Sequence, residues 1–199
     1  RFGMVVGNRP EFLSCWFGAA LTGAVMVPMN PQSTVHELAF MLGHSKCVAV
    51  IADADRADDV RAATEVPVVA LGEEFDARAA QALAIVPAVI DPREPLAVLY
   101  TSGTTSLPKG VVVTHANYLI AGEVIAQQVR MRSDDRWLVV LPMFHANAQY
   151  YSTMSALVSG ASIALMHRFS ASAWGAQARR HEATLGSLFA APIRMILAQ

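Results

Sequence analysis

The 199-residue chain sets 15 Lys and Arg against 16 Asp and Glu, a net charge of −1 with the signs interspersed, and 54% of its residues are hydrophobic. That is enough apolar material for a substantial core, and the charge balance excludes the broad cationic face that nucleic acid would need; Arg179-Arg180-His181 is too short to supply one. Two cysteines, Cys15 and Cys47, allow at most one internal disulfide and lack zinc-site spacing, so their apolar neighbours predict buried free thiols in a reducing cytosol. The uncharged stretches 12–35 and 137–166 are interrupted by Pro28, Pro31, Pro142, His145 and Asn147, which argues against the roughly 20 apolar residues of a membrane span.

In chain order, Met4 to Gly7 reads as a strand. Pro10 suits the first turn of a helix to about Leu21, on which Leu13, Trp16, Phe17 and Ala20 share a core-facing side. Ala24 to Pro28 predicts a strand, His36 to Leu42 a short helix, Cys47 to Ala52 a strand, Asp53 to Thr64 a charged helix and Val66 to Leu71 a strand. Gly72 to Pro95 is Ala-rich and punctuated by Pro87, Pro92 and Pro95, with room for a short helix and a linker. Leu96 to Tyr100 is an apolar strand that enters a loop, after which Thr114 or Asn117 caps a helix towards Val129. Trp137 to Leu141 follows as a buried strand, Asn147 to Leu157 as a helix, Ala161 to Met166 as a strand and Ser172 to Arg180 as a helix. Thr184 to Phe189 is then a strand, and Pro192 lies in the first turn of a last helix. The alternation predicts an α/β fold, layered sheets flanked by helices.

The loop is the most informative stretch. Tyr100 to His115 reads YTSGTTSLPKGVVVTH, placing Thr101, Ser102, Thr104 and Thr105 among glycines that let backbone approach a ligand, with Lys109 as a mobile cation. Lys46 and Lys109 are the two lysines beside thirteen arginines. The spacing is not that of a Walker A loop, because five residues separate Gly103 from Lys109 and Gly110 follows the lysine. Such a loop also fits an ordinary surface turn. At the C-terminal end of a sheet strand, however, it lies where α/β folds commonly bind ligands.

The whole string resembles the phosphate-binding signature of the acyl-adenylate-forming superfamily, which includes acyl-CoA synthetases, the adenylation domains of nonribosomal peptide synthetases and luciferases. Leu21-Thr22-Gly23-Ala24-Val25-Met26-Val27-Pro28-Met29-Asn30-Pro31 resembles an earlier family segment, in the right order. Leu141-Pro142-Met143-Phe144-His145-Ala146-Asn147-Ala148-Gln149 resembles the segment beside the acyl pocket, in a form most like the branch that contains crotonobetaine/carnitine-CoA ligase.

The resemblance implies an incomplete N-terminal domain of an adenylate-forming enzyme: 1–71 as a first α/β portion, 72–95 as an irregular connection, and 96–199 as the phosphate-loop and acyl-pocket portion. Both ends read as cut, the C-terminal domain is absent, and the 199 residues alone are expected to be inactive. For the parent protein it implies an acid:CoA ligase using ATP, Mg2+ and CoA. Thr101, Ser102, Gly103, Thr104, Thr105, Lys109 and Gly110 would bind nucleotide, Lys109 and His145 would act in catalysis, and no residue is assigned as a metal ligand. Asn147 and Gln149 would line the same cleft as His145; packing is the expected use of both rings of Tyr150-Tyr151, with one ring in the core and the other near substrate as the alternative. His36, His44, His167 and His181 have no metal spacing and read as structural or solvated. A cytoplasmic protein, homodimeric and without nucleic-acid partners, is expected. Ser106 departs from the family pattern, which usually has glycine there; that departure and the chain's length leave open a non-catalytic nucleotide-binding homologue or an inactive interaction domain, while the family leaves open an amino-acid adenylation domain.

Overall fold

The computed structural model describes residues 1–82, 84, 86–101 and 107–199. They form two compact units: Arg1–Gly7 with Glu11–His115, and Asn8–Pro10 with Ala116–Gln199.

The first unit is built on a six-stranded sheet. Its strands are β1 (Phe2–Val5), β2 (Met26–Pro28), β3 (Val50–Ala52), β4 (Val68–Ala70), β5 (Pro95–Thr101) and β6 (Lys109–Thr114), in the order β4-β3-β1-β2-β5-β6. All pairings are parallel except β5 with β6. The helices are α1 (Pro10–Thr22), α2 (Val35–Ser45), α3 (Ala57–Ala63, after a 3-10 turn at Ala54–Arg56) and α4 (Glu73–Ala80). Val5, Val27, Leu38, Val50, Val60 and Val98 belong to the core between sheet and helices.

The sequence expectation missed β6. The β-branched run Val111-Val112-Val113 suits a pleated surface, and Lys109 to Thr114 turn back along β5 instead of leading straight into a helix. The buried stripe of α1 is also rotated from the expected one. Phe12, Trp16 and Ala19 are buried, while Leu13, Phe17 and Ala20 stay half-buried. Helix α2 outruns its expected span at both ends because Thr34 and Glu37 form a reciprocal capping box, and Lys46 closes it in a left-handed conformation (φ 54°).

The second unit carries the three-stranded parallel sheet β8-β7-β9, with β7 (Arg136–Val139), β8 (Ser162–Leu165) and β9 (Leu185–Gly186). Its helices are α5 (His115–Gln128, entering from the first unit), α6 (Ser155–Ser159), α7 (Ala171–Arg180) and α8 (Ala190–Leu197). The expected strand over Thr184 to Phe189 shrinks to β9. The expected helix over Asn147 to Leu157 opens as a π-helix, Asn147–Met154, before α6 continues it. Hydroxyls satisfy carbonyls within this wider turn: Thr153 donates to Ala148 (2.9 Å) and Ser155 to Tyr151, while Trp137 Nε1 donates to Ser155 (3.0 Å). Gly122 on α5 allows a close crossing, since a Cβ there would stand 2.9 Å from the Met154 backbone.

Among the described residues no helix is long and apolar enough to cross a membrane. Cys47 is buried and free as expected, whereas Cys15 is free but half-buried, with burial pushing its thiol up to about 11.

Candidate functional site

Strand β5 carries the chain from core to surface. Leu96, Ala97, Val98 and Leu99 are buried, Tyr100 is half-buried and Thr101 is exposed. Antiparallel pairing then sets Thr101 opposite Lys109 and Tyr100 opposite Gly110, with the Thr101 hydroxyl 3.5 Å from the Lys109 carbonyl. The hairpin thus brings together Thr101, Lys109 and Gly110 of the predicted nucleotide set. Ser102, Gly103, Thr104 and Thr105, and with them Ser106, lie outside the described residues. Gly110 serves a need for space: a Cβ there would stand 2.9 Å from Val98 Cγ1 and 3.5 Å from the Tyr100 ring. A hydroxyl, a cation and close backbone at the end of a sheet strand are groups of the kind that can hold an anion.

His145 belongs to the second unit, on the turn that follows β7. Its backbone N–H donates to the Pro142 carbonyl (3.1 Å) and its carbonyl accepts from Gln149 N–H (3.4 Å), starting the π-helix. The residue is exposed, yet its ring lies 4.2 Å from that of Phe144, and partial desolvation holds the imidazole below its ordinary value. Desolvation thus favours the neutral imidazole over the imidazolium.

Two buried amides clamp this turn. Asn8 accepts from the Met143 N–H (2.7 Å) and donates to the carbonyls of Leu141 and Met166 (both 3.0 Å). Gln149 donates to the Met143 carbonyl (2.7 Å) and accepts from the Tyr118 hydroxyl (2.5 Å). Met143 is thus held at both its N–H and its C=O, two residues before His145. The expectation that Gln149 lines a cleft is corrected: it is fully buried and both ends of its amide are engaged. Asn147 accepts from Ser187 (2.9 Å), which ties the start of the π-helix to the end of β9. Of the tyrosine pair, Tyr150 packs edge-on against buried Tyr118 (4.9 Å) and Tyr151 is exposed. His115 is fixed by its backbone N–H to Glu94 (3.2 Å), and its Nε2 is buried with no partner among the described residues.

Sequence reasoning passed over Asn8 and Tyr118. Asn8, a lone amide between β1 and a helix-starting proline, carried no spacing signal, and its partners are more than 130 residues away.

Comparison with known proteins fits this geometry. A family model described as AMP-binding enzyme matches residues 1–199. The chain is 33% identical to the crotonobetaine/carnitine–CoA ligase of Salmonella paratyphi A over 217 aligned residues, covering 100% of the chain and 42% of the relative. It thus spans about two fifths of the length of the curated relatives it matches. The N-terminal domain of FACL13 from Mycobacterium tuberculosis, solved with an inhibitor, superposes with a TM-score of 0.87 at 31% identity, over 98% of this chain and 51% of that one. Apo MatB from Rhodopseudomonas palustris shares the fold at a TM-score of 0.90 and 22% identity, over 100% and 41% of the two chains; MatB has also been solved with ATP bound. The layered α/β fold, the hairpin sequence and the family match over residues 1–199 agree, and the chain belongs to the AMP-binding enzyme family.

Proposed function

We propose that the protein acts as an ATP-dependent carboxylic acid:CoA ligase. One oxygen of the carboxylate attacks the α-phosphorus of ATP. The bond from that phosphorus to the bridging oxygen breaks, and pyrophosphate leaves with the electron pair, giving an acyl-adenylate. The sulfur of CoA then attacks the acyl carbon, the acyl carbon–oxygen bond breaks, AMP departs with the carboxylate-derived oxygen, and the thiol proton passes to solvent. Adenylation is needed because a free carboxylate would have to expel oxide.

The observation that carries this reading is the pairing of Thr101 with Lys109 at the exposed end of β5, in a chain of this family. Negative charge gathers on the departing pyrophosphate, and fixed donors with a cation are what such a leaving group requires. In this reading Lys109 compensates the β- and γ-phosphates and Thr101 donates to them. Ser102, Gly103, Thr104, Thr105 and Gly110 complete the set, and magnesium is carried on the nucleotide phosphates. His145 orients the carboxylate or a phosphate by a hydrogen bond. It has no proton to remove, because the attacking carboxylate is already ionised.

The relatives at 33% identity are named as CoA ligases, which favours CoA over a carrier-protein thiol as acceptor. A cytoplasmic homodimer belongs to the same proposal. The test is acid-dependent ATP–pyrophosphate exchange by the whole protein across carnitine-like, short, medium, aromatic and amino acids. Exchange with a non-amino acid, followed by CoA-dependent release of AMP, is the expected result. Exchange with amino acids alone would move the assignment to an amino-acid adenylation domain, and ATP binding without exchange to a non-catalytic homologue.

A further inference from the structure

The last turn of α2 reaches the base of the hairpin through one pair of side chains. His44 Nδ1 lies 2.7 Å from the Tyr100 hydroxyl, and that hydroxyl donates to the Met41 carbonyl at 3.2 Å. With its proton committed to Met41, the phenol oxygen accepts from His44 Nδ1–H, an assignment made from the hydrogen-bond network. The imidazole is itself held, stacked on Phe40 one turn earlier (5.4 Å, 16° between planes) and edge-on to the Tyr100 ring (5.9 Å, 68°).

Tyr100 also reaches across to β6. Gly110 is its register partner, and a Cβ there would meet the ring carbons Cζ and Cε1 at 3.5 and 3.6 Å, so the phenol lies over the glycine backbone. The next pair outward in the register is Thr101 with Lys109. One ring therefore touches both strands of the hairpin immediately behind Thr101 and Lys109, and its hydroxyl is tethered to α2.

Packing alone does not account for this arrangement. His44 is exposed, so it contributes little by burial, and a phenylalanine at position 100 would cover Gly110 equally well without a tether. What the hydroxyl and the imidazole add is direction: they fix where the ring stands along the strand.

We propose that His44 is a positioning residue for the nucleotide, setting the placement of Thr101 and Lys109 through Tyr100 and thereby the affinity for ATP. The proposal rests on the reading of this hairpin as the phosphate site. His44, read from sequence as structural or solvated, gains a role because of its partner.

The test measures ATP Kd by calorimetry, and exchange kinetics in parallel, for the whole protein and its His44→Phe, His44→Gln and Tyr100→Phe variants. His44→Phe should raise the Kd and KM for ATP about threefold to tenfold, the reach of one hydrogen bond, with KM for the acid and the unfolding midpoint unchanged. His44→Gln, whose amide N–H can still reach the phenol, should recover most of the loss. Tyr100→Phe, which loses the Met41 bond as well, should raise the Kd at least as much as His44→Phe, and the double variant should be no worse than Tyr100→Phe alone. An unchanged ATP Kd in His44→Phe, an equal rise in KM for the acid, or no recovery with Gln would overturn the proposal. If the Kd shift appears but no acid supports exchange, the positioning role stands and the ligase reading fails. If exchange is robust and the Kd does not move, the positioning role alone fails.

Discussion

The two turns that carry the candidate functional groups are held by opposite means. The Thr101–Lys109 pair sits at the exposed end of a hairpin whose sideways tether ends on a surface imidazole. The turn bearing His145 is gripped from below by Asn8 and Gln149, which are 7% and 0% exposed and together make five hydrogen bonds at 2.5–3.0 Å. A buried amide cannot be removed without stranding its partners away from water, whereas a surface bond exchanges readily with solvent. The tether behind Thr101 and Lys109 is therefore less costly to break than the clamp under His145.

The comparison is tested hardest at Asn8. Asn8→Ala would strand the Met143 N–H and two carbonyls, and should cost about 3 kcal/mol of stability in urea unfolding; a loss below about 1 kcal/mol would mean that the clamp relaxes and the contrast is false. Lys109→Met should show the reverse pattern. ATP-dependent exchange should fall about tenfold to hundredfold, the scale of a lost charge-assisted bond, while the unfolding midpoint stays near wild type because Lys109 is exposed. Unchanged exchange would remove Lys109 from the mechanism.

The smallest effect lies at His145. Partial desolvation lowers its folded value below the ordinary 6.5, so the unfolded chain takes up the proton first. Its contribution to stability is fully present above the ordinary histidine range and is lost as pH falls through it. An NMR titration should place the His145 midpoint below 6.5 and below those of unstructured histidines; a midpoint above 6.5 would mean that a charged partner faces the ring.

Local signals were legible in the sequence where they were chemical. Pro10 placed the start of α1, and the apolar run before Thr101 placed β5. The motif around Lys109 misled about the element it lies on, because attention to the loop's glycines and hydroxyls hid the valine run that makes β6. The π-helix stayed hidden because a helix-like polar and apolar pattern does not distinguish a five-residue from a four-residue hydrogen-bond step. The clamp and the tether were out of reach for a different reason. Asn8 to Met143 spans 135 residues and His44 to Tyr100 spans 56, and one sequence carries no signal for contacts set by tertiary packing.

The central claim is that a carboxylate oxygen attacks the α-phosphorus of ATP, and it is tested most directly by supplying the whole protein with 18O-labelled carboxylic acid, ATP, Mg2+ and CoA and analysing the nucleotide product by mass spectrometry. The account predicts one 18O in AMP for each acyl-CoA formed. Unlabelled AMP, or ADP in its place, would contradict it.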